Sequence, residues 1–147
     1  MYFDDIRLGA SVEIAPAVIE REKMLAFARV YDDRPIHTDE DFAKTTQFGA
    51  LLAPGIMTFM SVWFQYLRQD FCGLEFVAGR STKIEWHRPV FAGDVLTGRA
   101  EVTALAEHGG RHGLVEITIR AENQRGEHVI TDVTEAIVLR RSREEQR

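Results

Sequence analysis

The sequence predicts an α+β domain in which one apolar helix is covered by a curved antiparallel sheet of about five strands. Three observations carry this. A charge-free helical segment lies at about Gly55–Gln69. After Gly73 apolar residues alternate with polar ones, the period of half-buried strands. The connections between these alternating runs are short, which favours antiparallel pairing.

The size and composition fit that class. The chain has 147 residues, 45% of them hydrophobic and 28% charged, the profile of one globular domain rather than a disordered chain. A domain this long buries roughly 68–70% of its unfolded surface and needs no disulfide or metal staple. The sequence contains one cysteine, Cys72, so neither an intrachain disulfide nor a cysteine zinc cluster is available. No metal and no cofactor are expected. A formal net charge of −5 disfavours a nucleic-acid partner, which wants a basic face, but leaves room for an anionic small molecule. The acidic start Met1-Tyr2-Phe3-Asp4-Asp5 lacks the order of a signal peptide, and a cytoplasmic protein is expected.

Taken in order, Ser11–Ile19 forms a short strand interrupted near Pro16. Glu20–Val30 favours helix, with Met24, Phe27 and Ala28 on one side and Glu22, Lys23 and Arg29 towards solvent. Pro35 ends this run, because the residue before a proline avoids helical angles. Thr38-Asp39-Glu40-Asp41 matches a capping box and opens a second short helix to about Lys44. The third helix carries Ile56, Met57, Phe59, Met60, Val62, Trp63, Phe64 and Leu67, apolar on nearly all sides, and should be wrapped by other structure. Phe48 to Leu67 carries no formal charge, but Pro54-Gly55 interrupts it. The helix that remains is roughly 18 Å long, short of the roughly 30 Å hydrocarbon core, so a buried core helix and no membrane partner are expected.

The strands follow. Thr82–Arg88 contains Ile84 and Trp86, and Phe91-Ala92-Gly93-Asp94 turns the chain. Leu96, Ala100, Val102 and Ala104 alternate with Thr97, Arg99, Glu101 and Thr103. After a turn at His108-Gly109-Gly110, Val115–Glu122 alternates in the same way. Asn123–Glu127 is a turn and His128–Leu139 the last strand. One domain over residues 1–140 and a charged, fraying tail over 141–147 are expected, with Cys72 a small residue at a helix end. A single sheet leaves unpaired edges, and pairing with a second copy would remove two of them, so a homodimer is expected.

The connection Tyr31-Asp32-Asp33-Arg34-Pro35-Ile36-His37 is the most informative stretch. It lies between two helices, which place Asp32 and His37. A carboxylate and an imidazole near one point can hold a water and move its protons. From this spacing alone the structural alternative is stronger: Asp caps backbone beside a proline turn, and His stays at the surface. Leu52-Ala53-Pro54-Gly55 opens the apolar helix, where free N–H groups can meet an oxyanion, or simply start a helix.

Several motifs in order change that balance. Tyr31–Lys44, then Phe48-Gly49 and Ala53-Pro54-Gly55-Ile56-Met57, then Glu85-Trp86-His87-Arg88-Pro89-Val90-Phe91-Ala92-Gly93-Asp94 resemble the MaoC-like dehydratases, which include the (R)-specific enoyl-CoA hydratases. The resemblance spans about Ala10 to Leu139. It implies a hot-dog fold, a dimer, and an acyl-CoA thioester as substrate. It implies reversible water addition to an enoyl thioester, with Asp32 and His37 activating water and the Gly55 N–H meeting the thioester oxyanion. Phe48, Pro54, Gly55 and Ile56 are the implied substrate-binding residues. Two positions depart from the family pattern: Tyr31 stands where many hydratases have Gly, and Arg34 where they often have Asn. Arg34 is expected to point into solvent, the alternatives being closure of the pocket or contact with an acyl carboxylate. Arg80, Lys83 and Arg88 are weak candidates for the CoA phosphates. The rival readings are a hot-dog thioesterase, disfavoured because Ile56–Gln69 holds no carboxylate, and a non-catalytic acyl-CoA-binding subunit.

Overall fold

The computed structural model describes residues 1–71, 73–142, 144 and 145. The expectation for Cys72 and part of that for the tail lie outside the described residues. After a 3-10 turn at Phe3–Asp5 and strand β1 (Ser11–Val18), the chain forms α1 (Arg21–Tyr31), α2 (Pro35–Thr38), α3 (Glu40–Thr45) and α4 (Gly55–Leu67). A second 3-10 turn, Gly73–Glu75, leads into β2 (Phe76–Trp86), β3 (Val95–His108), β4 (His112–Glu122) and β5 (His128–Leu139).

The strands form one antiparallel sheet in the order β1-β3-β4-β5-β2. The turns after β3 and β4 are hairpins, as their short connections imply. The connection from β2 to β3 is not: β2 pairs with β5, on the far side of the sheet from β3 and β1. Residues 87–94 therefore cross the end of the sheet, and backbone bonds hold them on the way. His87 N–H donates to Val129 O (2.8 Å), Ala53 N–H to Val90 O (2.8 Å) and Gly93 N–H to Ile19 O (2.7 Å). Gly93 has φ +87°, which a residue with a side chain rarely adopts, and Asp94 Oδ2 accepts the Phe91 N–H (3.0 Å) to close that turn. Pro16 falls at a register shift between Ile14 and Ala17 of edge strand β1, where a missing N–H costs no ladder bond.

The core lies between sheet and helices. Ile19, Met24, Leu96, Ile117, Ile119 and Ile130 are fully buried. α4 packs on β1 and β3 through a face of Met57, Thr58, Val62 and Tyr66. The expectation that this helix is wrapped on all sides fails in the protomer. Ile56, Met60, Phe64 and Leu67 are 49%, 52%, 55% and 48% exposed, at spacings that place them on one stripe. A single sheet can cover only one side of a cylinder. Edge strand β2 is likewise exposed or half-buried along its whole length.

One further expectation is corrected. Thr38 does not cap α3. Pro35–Thr38 forms its own helical turn, so Asp39 is the extended residue, and its side chain accepts the Phe42 N–H (3.1 Å). At the junction of domain and tail, Arg140 Nη2 meets Asp4 (2.8 Å) and Arg141 Nη2 meets Asp5 (2.6 Å) of the first turn.

Candidate active site

Asp32 follows the last residue of α1, its N–H still donating to Ala28 O (2.8 Å). Arg34 is the extended residue before α2, and Pro35 occupies the first helical position, where its missing N–H is harmless. One turn of α2 then carries His37 inward until it is 5% exposed. This turn is tied to the segment before α4, because Leu52 N–H donates to Ile36 O (3.1 Å).

His37 Nδ1 lies 2.7 Å from Leu52 O. A carbonyl only accepts, so Nδ1 carries the hydrogen, and Nε2 is the nitrogen left to exchange a proton. Nε2 faces Asp32 Oδ2 at 3.2 Å. The two groups chosen from the sequence therefore do meet at one point.

Arg34 meets them there. Its Nε donates to Asp32 Oδ1 (2.6 Å) and its Nη2 to Asp32 Oδ2 (2.7 Å), a two-pronged pair. Nη2 also lies 3.4 Å from His37 Nε2. The expectation that Arg34 points into solvent is thus corrected: although 71% exposed, its side chain folds back two residues because a carboxylate lies within reach. The hydrogen bonds from Arg34 hold the Asp32 carboxyl below the usual carboxylate range; partial burial opposes this, and the nearby imidazole adds to it. Asp32 is therefore ionised at neutral pH.

A cleft of ≈ 360 Å³ opens beside these groups. Arg34, His37, Phe48, Gly55, Trp86 and Arg88 are among the residues that line it. Gly55 opens α4 and has no acceptor for its N–H among the described residues. Trp86 Nε1 donates to Gly55 O (2.9 Å), laying the indole across the start of the helix. A Cβ on Gly55 would come within 2.7 Å of that ring, so the absence of a side chain is required by packing as well as by any role of the N–H.

Two of the expected substrate-binding residues are not in this lining. Pro54 is buried as the residue before α4, its carbonyl accepting the Thr58 N–H (3.1 Å). Ile56 lies about 100° round the helix from Gly55 and belongs to the exposed stripe. Of the three basic candidates, Arg88 lines the cleft and pairs with Glu127 (3.1 Å). Arg80 pairs with Glu135 (3.6 Å) and Lys83 with Glu85 (3.1 Å), both elsewhere. Sequence reasoning missed Trp86, the Leu52 carbonyl and the contact of Arg34 with Asp32. Trp86 carried a signal as part of the motif Glu85–Asp94 that begins at the end of β2, and Leu52 and Arg34 lay in stretches already singled out, but nothing in the sequence pointed to these contacts. Among the described residues, no group of three or more His, Cys, Asp or Glu is placed to hold a metal ion. No helix among them is long and apolar enough to cross a membrane.

A second carboxylate lies apart from the cleft. Asp132 of β5 is 2% exposed and accepts hydroxyl hydrogen bonds from Thr82 of β2 and Thr134 of β5. Burial pushes its carboxyl up, and the two hydroxyls only partly oppose that.

Known proteins share this architecture. A family model described as FAS1-like, dehydratase domain region, matches residues 7–132. A UPF0336 protein of Streptomyces coelicolor is 32% identical over 145 residues, spanning 93% of this chain and 95% of that protein. The (R)-specific enoyl-CoA hydratase of Rhodospirillum rubrum is 31% identical over 106 residues, 71% of each. The crystal structure of a MaoC-like dehydratase from the same species superposes with a TM-score of 0.83 at 28% identity, over 97% of this chain and 99% of that one. With a central helix on a five-stranded antiparallel sheet and a family match across most of its length, this chain belongs to the MaoC-like dehydratase family and has its hot-dog fold.

Proposed function

We propose that this protein catalyses reversible hydration of a trans-2-enoyl thioester to a 3-hydroxyacyl thioester. The carrying observation is the 3.2 Å approach of His37 Nε2 to the Asp32 carboxylate, with His37 and Gly55 lining one cleft beside it. Membership of a family containing an (R)-specific enoyl-CoA hydratase supports the reading.

In the forward direction a water between Asp32 and His37 gives up a proton to the pair as its oxygen bonds to C3. The C2=C3 electron pair moves to C2 and onto the thioester oxygen. That oxygen gains charge, and the Gly55 N–H at the positive end of α4 meets it. C2 then takes a proton back from the pair, so the site ends as it began. Leu52 O keeps the imidazole in one tautomer, with Nε2 towards the water. The ionised Asp32 stabilises the imidazolium that forms transiently. Neither group is a nucleophile that must form a covalent bond with the substrate.

The proposal includes a homodimer. The stripe Ile56, Met60, Phe64 and Leu67 and the open edge of β2 are surfaces that a second copy would cover. Phe64→Glu should shift the protein to monomer in light scattering. A wild-type monomer at micromolar concentration would refute the dimer.

The function is tested by incubating the protein with a panel of trans-2-enoyl-CoA thioesters, crotonyl-CoA included. Loss of enoyl absorbance without release of free thiol is expected. Thiol release would favour a thioesterase instead. Binding with neither change would leave a non-catalytic acyl-CoA carrier.

A further inference from the structure

Arg34 is the side chain that touches both members of the pair, and its position has a consequence for what the site can accept. At the moment of attack C3 lies about 3 Å from the water held by His37. Arg34 Nη2 is 3.4 Å from that same His37 nitrogen. Both distances are short, so a substituent on C3 can come within reach of the guanidinium.

The guanidinium has unused capacity. Its Nε and Nη2 point at Asp32 and His37, but Nη1 meets no acceptor among the described residues. The pair with Asp32 uses Nε and Nη2, so Nη1 can take a carboxylate without breaking that pair. Apart from Asp32, no anion competes for Arg34 in the cleft: the lining includes Phe48, Leu52, Trp86 and Val90 but no carboxylate. The cleft's other cation, Arg88, pairs with Glu127, whereas Arg34 is the one that reaches Asp32 and His37. An alkyl group on C3 would gain nothing from this neighbour. A carboxylate would accept charge-assisted bonds from a planar fork that matches its shape.

We propose that Arg34 selects enoyl thioesters whose acyl part ends in a carboxylate on C3 or one carbon beyond it, with Nη1 receiving that carboxylate. This rests on the hydratase reading above. The substrate is then a short unsaturated dicarboxylic acid held as its monothioester. Water adds across C2=C3, its oxygen to C3 and hydrogen to C2, giving the hydroxy-diacid monothioester with nothing else consumed. Arg34 also offsets the repulsion between that carboxylate and the incoming, deprotonating water.

The test separates recognition from chemistry. Succinyl-CoA and butyryl-CoA are unreactive and differ only at the acyl terminus, so calorimetry with both isolates the carboxylate. Wild-type protein should bind succinyl-CoA at least about tenfold more tightly, as one charge-assisted bond gives. Arg34→Asn should abolish the preference, and Arg34→Lys, which keeps charge but loses the fork, should retain part of it. Equal binding, binding of neither, or a preference that survives in Arg34→Asn overturns the proposal. Initial rates with fumaryl-CoA and crotonyl-CoA form the second arm, read as the ratio of their kcat/KM values so that any general loss cancels. That ratio should exceed ten in the wild type and fall towards one in Arg34→Asn. If neither thioester is hydrated while succinyl-CoA is still preferred, the hydratase reading fails and the role of Arg34 in recognition stands.

Discussion

Asp32 and Asp132 are the same side chain in opposite surroundings. Asp32 stands at the end of a helix with a guanidinium across both its oxygens, and its carboxyl is held down. Asp132 stands in the middle of the sheet with two threonine hydroxyls and no cation, and burial pushes its carboxyl up. Both are hydrogen-bonded, so the number of partners does not separate them. Charge and solvent do: a cation rewards ionisation, whereas hydroxyls only partly replace the water a buried carboxylate has lost. The first arrangement suits a group that must stay charged beside a reacting water. The second suits a structural tie between β2 and β5.

The sharpest test of that contrast is activity. Asp32→Asn and His37→Ala should each lower kcat by roughly 10²–10⁴-fold, the usual contribution of a positioned acid–base group. Asp132→Asn, which touches neither pair nor cleft, should leave kcat within about twofold. Folded Asp32 and His37 variants with near-normal turnover would erase the difference between the two sites.

Next in size is the Gly55 N–H. A simple substitution at Gly55 would be confounded, since any Cβ meets Trp86. In a Trp86→Ala background, Gly55→Ala and Gly55→Pro both gain room and differ in possessing the N–H. Pro54 has φ −55° and ψ 135°, which a following proline tolerates. The proline variant should have a kcat lower by a further 10²–10³-fold, the cost of one oxyanion donor. Equal kcat values would reduce Gly55 to a helix start.

Smaller, and in a known direction, are the effects of acid. Arg34 is the main influence holding Asp32 below its ordinary value of 3.8. In Arg34→Asn the acidic limb of the kcat/KM profile should therefore move to higher pH. Stability follows the same linkage. A depressed carboxylate contributes stability above its unfolded pKa and loses it as pH falls through the folded one. The gap in stability between wild type and Arg34→Asn should accordingly shrink on acidification below about pH 4. An unmoved limb would mean that Asp32 does not govern it.

The smallest effect belongs to Asp132 and has the opposite sign. Its carboxyl is raised on folding, so its contribution is fullest below the ordinary value of 3.8 and is lost as pH rises through the folded pKa. Asp132→Asn removes that loss. Thermal denaturation at neutral pH should show Tm higher by about 2–4 °C, and the advantage should vanish in acid. A Tm lowered at neutral pH would show that the ionised carboxylate is worth more to the Thr82 and Thr134 bonds than its burial costs.

How much of this was legible depends on the range of the interaction concerned. Periodicity is a property of neighbouring residues, so the sequence alone located α1, α4 and the alternating runs of β3, β4 and β5. It also drew attention to Asp32 and His37, but only the MaoC-like motifs taken together favoured a chemical role for them over a plain turn. The strand order was not legible. Whether β2 pairs with β3 or crosses to β5 depends on what residues 87–94 meet on the way, including Ala53 and Val129. Nor was the bare side of α4: a helix apolar all round reads as buried, and only the finite width of the sheet leaves Met60 and Phe64 uncovered. Arg34 lies two residues from Asp32, yet sequence proximity did not decide between solvent and carboxylate. That choice is made by the extended backbone at Arg34 and the turn of α2, which together return its side chain to Asp32 and set it against His37.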